Sequence, residues 1–131
     1  LTVLILCLIV ASLLPYLVKI PLAVAMAKDG GYDNRYPREQ QSRLQGFGAR
    51  SLASHQNAFE SLLVFAIAIL LAITTGTTSE NVQTLAIMHI GFRVLYHALY
   101  LLNMSTLRSV SWFIAIACSF AIMGQCLPHW A

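Results

Sequence analysis

Three groups of polar residues interrupt stretches that are otherwise hydrocarbon. The first is Arg50, Gln56, Asn57 and Glu60 in "RSLASHQNAFESLLVFAIAILLAI". The second is His89, Arg93, Tyr96, His97 and Tyr100, spaced i, i+4, i+7, i+8 and i+11. The third is Arg108, Ser109 and Trp112 in "LRSVSW". A guanidinium stays charged and needs an anion. Glu60 supplies a carboxylate that could meet it, directly or through a bound ligand. Arg108, Ser109 and Trp112 offer a cation, a hydroxyl and a flat aromatic wall. Each cluster also has a plainer reading: His89 as a packed core histidine, Glu60 and Arg93 as a stabilising ion pair, Arg108 snorkelling to headgroups, and Trp112 as an interfacial anchor.

Helix geometry sorts these residues by face. At about 100° per residue, with Arg50 at zero, Asn57 lies at about −20°, Glu60 at about −80° and Gln56 at about −120°. His55, at about +140°, points almost oppositely, away from any site on that face and free to meet another subunit. On the next apolar stretch the five residues of the second cluster make one polar-aromatic stripe. Glu60 lies ten residues past Arg50 and Arg93 ten residues before Asn103. Both therefore sit about 15 Å along their helices, and they are expected in one buried network, directly or through a ligand.

The elements that position these groups follow from composition. The 131 residues are 58% hydrophobic and 10% charged, with mean hydropathy +0.71, whereas a soluble domain carries about a quarter charged residues. A bilayer is the expected solvent and an integral membrane protein the expected class. About 20 apolar residues cross a bilayer as a helix, and four stretches qualify, at about 1–27, 50–75, 81–103 and 107–127. Pro15 and Pro21 are expected to bend the first. The connections "TGTTSE" and "MST" are short, which forces antiparallel neighbours. The fold class is all-α, an up-down four-transmembrane-helix bundle forming a single domain over 1–131.

Orientation follows the basic residues. The loop 28–49 with its flanks holds Lys28, Arg35, Arg38, Arg43 and Arg50, and Arg108 follows the third connection. The first and third loops are expected to be cytoplasmic. A net charge of +3 from interrupted basic residues gives no nucleic-acid surface. Cys7, Cys118 and Cys126 fall in apolar stretches without a C-x-x-C pair, as buried thiols do, and imply neither disulfide nor metal site. Leu1 rather than methionine opens the numbering, which leaves room for a short leader. The first apolar stretch itself is too long for a cleaved signal peptide and lacks its charged front.

Three motifs carry a family resemblance along nearly the whole chain: "YDNRYPR" (Tyr32 to Arg38), "ARSLASHQNAFESL" (Ala49 to Leu62) and "GFRVLYHALYLLNMSTLRSVSW" (Gly91 to Trp112). Together they resemble the membrane-associated proteins in eicosanoid and glutathione metabolism, the MAPEG family. The first loop is similar to that of bacterial members, implying a bacterial inner membrane. The later motifs resemble the glutathione site of microsomal prostaglandin E synthase and its relatives.

The resemblance implies a homotrimer that binds glutathione between subunits and acts on a lipophilic small-molecule substrate reaching it from membrane lipid. By position, Asn57 and Glu60 would hold the tripeptide's polar ends, with Arg93 supporting them. Tyr96 and Tyr100 would line the ligand, Tyr96 where the prostaglandin synthase has a histidine. Arg108 and Ser109 would approach the sulfur as the catalytic pair, and Trp112 stands for a tyrosine of the same pocket. Arg35 and Arg38 are further candidates for the peptide's carboxylates. Gln56, also a candidate contact, stands where the prostaglandin synthase has a cationic ligand. The implied activity is a glutathione-dependent transferase or peroxidase. The alternative is a non-catalytic lipid- or protein-binding protein of this fold, as the five-lipoxygenase-activating protein is.

Overall fold

A computed structural model describes residues 1–128. It is all-helical over those residues, with six helices: α1 Thr2–Leu17, α2 Lys19–Lys28, α3 Pro37–Arg43, α4 Phe47–Thr74, α5 Glu80–Leu101 and α6 Ser105–Gln125. Taken together, α1 and α2 form one apolar rod of 27 residues. With α4, α5 and α6 it makes four helices long and apolar enough to cross a membrane. The protein is an integral membrane protein.

The break between α1 and α2 at Val18 has a local cause. Pro15 and Pro21 have no N–H, so the carbonyls of Ala11 and Leu17 lose their usual helical donors, and each ring crowds the turn before it. Pro15 itself is buried, and its carbonyl is met by the Nδ1 of His55 at 2.9 Å. His55 is therefore held against α1 of its own chain, edge-on to Phe59 at 5.3 Å. The opposite face that helix geometry assigns to it faces a helix kink within the same subunit.

The first loop is not wholly irregular. Pro37 at its first turn pre-sets the backbone of the seven-residue α3. Gln40, 2% exposed, ties that helix down: its amide donates to the carbonyls of Met26 (3.1 Å) and Gly31 (2.9 Å) and accepts from the Asp33 N–H at 2.9 Å.

Packing is closest where side chains are small. Leu4, Cys7 and Ala11 of α1 meet Phe65, Ala68, Ile69 and Ala72 of α4, Val82 and Ala86 of α5 and Ile122 of α6. Alanines at such contacts let helix backbones approach when lipid supplies no hydrophobic drive between helices. At the loop end, a Cβ built on Gly48 would lie 3.4 Å from the Ala25 Cβ and 3.1 Å from the Leu44 Cβ, so α2 and α4 touch almost at backbone level. Outward-facing Leu6, Ile9, Leu13, Leu63, Leu70, Ile87, Phe113 and Phe120 are exposed, as lipid-facing residues must be. All three cysteines are free, Cys7 and Cys118 buried and Cys126 half-buried.

Two tight reversals join the last three helices. After α4, the N–H of Thr77 reaches the Ala72 carbonyl at 2.8 Å and that of Gly76 reaches Ile73 at 3.2 Å. After α5, Met104 reaches Leu99 at 3.0 Å and Asn103 reaches Tyr100 at 3.1 Å. Both are Schellman closures, which need a left-handed residue: Gly76 (φ 70°) serves in the first and Asn103 (φ 60°) in the second. The second matters for function because it sets the end of α5 beside the start of α6. We expect Asn103→Val to destabilise the fold by about 1–2 kcal/mol, because asparagine tolerates the left-handed conformation and a β-branched residue does not. Reversible unfolding in detergent micelles measures this, and unchanged stability would remove Asn103 from that role.

Candidate functional site

Along α5 the polar stripe divides into two kinds of residue. His89 is a core residue: its ring stacks on Phe65 (centroids 3.9 Å apart, planes within 4°), and its Nδ1 meets the Ala115 carbonyl at 2.9 Å and Ser119 Oγ at 3.3 Å. His97 is likewise buried, with Nδ1 at 2.7 Å from Ser54 Oγ. Neither lines the open groove that the other polar residues surround.

That groove lies between α4, α5 and α6. Its outer part, about 210 Å³, is lined by Asn57, Tyr96, Tyr100, Arg108, Ser109 and Trp112. An adjoining part of about 230 Å³ is lined by Asn57, Glu60, Ser61, Val64, Trp112 and Ile116. Asn57 and Trp112 belong to both, so the indole and the amide mark the junction between a polar compartment and a more apolar one.

The cations are fixed by aromatic rings. Arg93, 2% exposed, lies over the Tyr96 ring at 4.3 Å, and its Nη2 donates to the Asn57 carbonyl at 3.2 Å. Arg108, half-buried, lies over the Tyr100 ring at 4.4 Å. Tyr96 and Tyr100 pack edge to face at 5.6 Å. The four side chains thus form a continuous ladder along the groove, Arg93, Tyr96, Tyr100, Arg108. A guanidinium held over an aromatic face keeps its charge. Stacking fixes where that charge sits.

The structure brings together Asn57, Glu60, Tyr96, Tyr100, Arg108, Ser109 and Trp112 at the groove, with Arg93 buried behind Asn57. Glu60 is exposed and lines the apolar compartment, while Arg93 reaches the same helix through a backbone carbonyl. Other candidates sit elsewhere. Gln56 is exposed and lines neither compartment. Arg35 lies over the Tyr36 ring at 5.7 Å, and Arg38 is exposed on α3. Both belong to the loop and line neither compartment.

Sequence reasoning missed Ser61, Val64 and Ile116. The signal was present: Ser61 is four residues after Asn57, Val64 four after Glu60 and Ile116 four after Trp112, each on the next turn of the same face. Also unforeseen is a mostly apolar groove of about 510 Å³ lined by Ser105, Thr106, Ser109, Val110, Phe113 and Ile114. It shares Ser109 with the polar compartment. Among the described residues, no cluster of His, Cys, Asp or Glu could hold a metal ion.

No curated protein and no solved structure matches the chain. The model of the MAPEG family, however, matches residues 3–128, which include all but the first residue of the four membrane-spanning helices and every residue of the groove. The chain therefore belongs to the MAPEG family.

Proposed function

We propose that the groove binds glutathione and activates its thiol for attack on lipophilic electrophiles, making the protein a membrane-bound transferase or peroxidase. The observation that carries this reading is Arg108, held at 4.4 Å over Tyr100 on the wall of a polar compartment that also contains Asn57 and Ser109. A thiol is a nucleophile only as thiolate, and a nearby cation lowers its pKa. Arg108 supplies that cation and Ser109 a hydrogen bond to the sulfur. Asn57 and Glu60 hold the peptide's polar ends. Gln56, Arg35 and Arg38 line neither compartment in one chain, so any contact they make to the ligand comes from rearrangement or from an assembled oligomer.

Ser109 is shared between the polar compartment and the apolar groove on α6. An electrophile dissolved in lipid would enter by that groove and meet the sulfur there. Conjugation, hydroperoxide reduction and isomerisation all begin from the same thiolate. A homotrimer suits exposed polar side chains within apolar helices: Lys19, Gln56 and Glu60 are all exposed in the single chain, and such groups face a partner or a cavity rather than lipid. Placement in a bacterial inner membrane, with the basic first loop and the third connection cytoplasmic, completes this reading.

The test is thermal stabilisation of the purified protein by glutathione and by S-hexylglutathione. A ligand that binds only the folded state stabilises it by about 2.7 kcal/mol at a hundred times its dissociation constant, so a rise in Tm that grows with concentration is expected for both. No shift with either at millimolar levels would replace this reading with a non-catalytic one, a lipid- or protein-binding MAPEG protein. Glutamine at position 56 favours that alternative, since the prostaglandin synthase has a cationic ligand there and a peptide carboxylate is left with one cation fewer.

A further inference from the structure

Behind the groove, between α1, α4 and α5, lies a small pocket of about 10 Å³ whose lining includes Leu14, Ala58, Ser61, His89, Arg93 and His97. Two of its lining residues carry polar atoms sealed from the surface and without a hydrogen-bond partner: Nη1 of Arg93 and Nε2 of His97. Both side chains are almost wholly buried, at 2% and 5% exposure. An unpaired buried donor costs about 1–3 kcal/mol, more when charged. Both atoms are buried within the single chain.

We propose that this cavity is a binding site for one structural water molecule, which joins Arg93 Nη1 to His97 Nε2 and uses Ser61 Oγ as its third partner. The volume is that of a single water-sized probe, and buried waters make about three hydrogen bonds to polar groups that lack other partners. Water also resolves an ambiguity that a fixed side chain cannot. His97 Nδ1 pairs with Ser54 Oγ, either atom donating, so Nε2 is a donor in one tautomer and an acceptor in the other. A water accepts from Nε2 in the first case and donates to it in the second, while accepting from Arg93 in both. A cation is excluded by the guanidinium, and an organic ligand by size.

The water completes a chain from Ser54 through His97 to Arg93, and from Arg93 to the Asn57 carbonyl. It makes His97 a positioning residue for Arg93, acting from outside the groove. Ser61 lines both this cavity and the apolar compartment, which gives the water a route of exchange. None of this depends on which ligand the groove takes.

X-ray radiolysis of the intact protein in detergent tests the site, because hydroxyl radicals formed from a bound water oxidise the side chains beside it. Each oxidation rate is divided by the intrinsic reactivity of its residue type, and the comparators are Phe65 and Ile69, both 0% exposed. The expected result is oxidation of His97 several-fold faster than of either comparator, with incorporation of ¹⁸O from labelled water lagging behind that at exposed residues. A rate at His97 no greater than at Phe65 and Ile69 would overturn the proposal, whatever glutathione does to Tm.

Discussion

Arg108→Ala is expected to yield a folded, assembled protein that binds glutathione but no longer shows the ultraviolet absorbance of the thiolate, with turnover reduced by about 10²- to 10³-fold. The argument is electrostatic. In a compartment lined by Asn57, Tyr96, Tyr100, Ser109 and Trp112, one fixed cation beside the sulfur does most to favour the anion. The Tyr100 ring at 4.4 Å holds that cation in place before any ligand arrives, so little reorganisation accompanies thiol ionisation. Arg108 is half-buried on the first turn of α6 and packs no core, which is why its removal should spare the fold. Arg108→Lys separates charge from geometry: the ammonium keeps the charge but loses the flat stack, and an intermediate thiolate signal is expected. A wild-type thiolate signal in Arg108→Ala would take Arg108 out of the role assigned to it. A loss of glutathione binding altogether would instead make Arg108 an anchor for a carboxylate.

The dependence on Tyr100 shows what the sequence could and could not convey. Four spans were legible because a run of apolar residues has one physical outcome in a bilayer, and the family resemblance rested on residues of the first loop and of spans two to four. The stripe on α5 was legible as a face, but not which members turn inward. His89 and Arg93 are one turn apart, yet one stacks on Phe65 while the other reaches Asn57, because partner helices decide and their positions are not written locally. Likewise Arg50, Gln56, Asn57 and Glu60 span about 120° of arc, wider than the groove, so only Asn57 and Glu60 line it. His55 needed the kink at Pro15 to expose a carbonyl before its partner could be known. The short helix α3 was hidden for another reason: a proline and six polar residues have no apolar period, and Gln40 reaches fourteen residues back, to Met26, to hold them.

Arg93→Met is expected to separate stability from binding more sharply than any other change: unfolding no easier than in the wild type, even harder by up to about 1–4 kcal/mol, with the glutathione-induced rise in Tm abolished. A buried guanidinium is costly to desolvate, and replacing buried charges by apolar residues of similar volume is often neutral or stabilising. Here the compensation within the chain is slight. Arg93 has one hydrogen bond to a carbonyl, at 3.2 Å, and the face of Tyr96 at 4.3 Å. Methionine fills much of the same length and packs against the same ring. A residue that burdens the fold is retained for what it does to its neighbours. Arg93 donates to the Asn57 carbonyl, on the turn that carries the Asn57 and Glu60 side chains to the groove, and adds a positive potential behind them. Glu60→Gln should lose binding by the same measure while leaving stability unchanged, because its side chain is exposed in the single chain. Unfolding in micelles and the thermal shift, measured on the same preparations, decide the matter. If Arg93→Met were destabilised and still bound glutathione with full affinity, Arg93 would be a structural residue and the network between the two helices would end at the core.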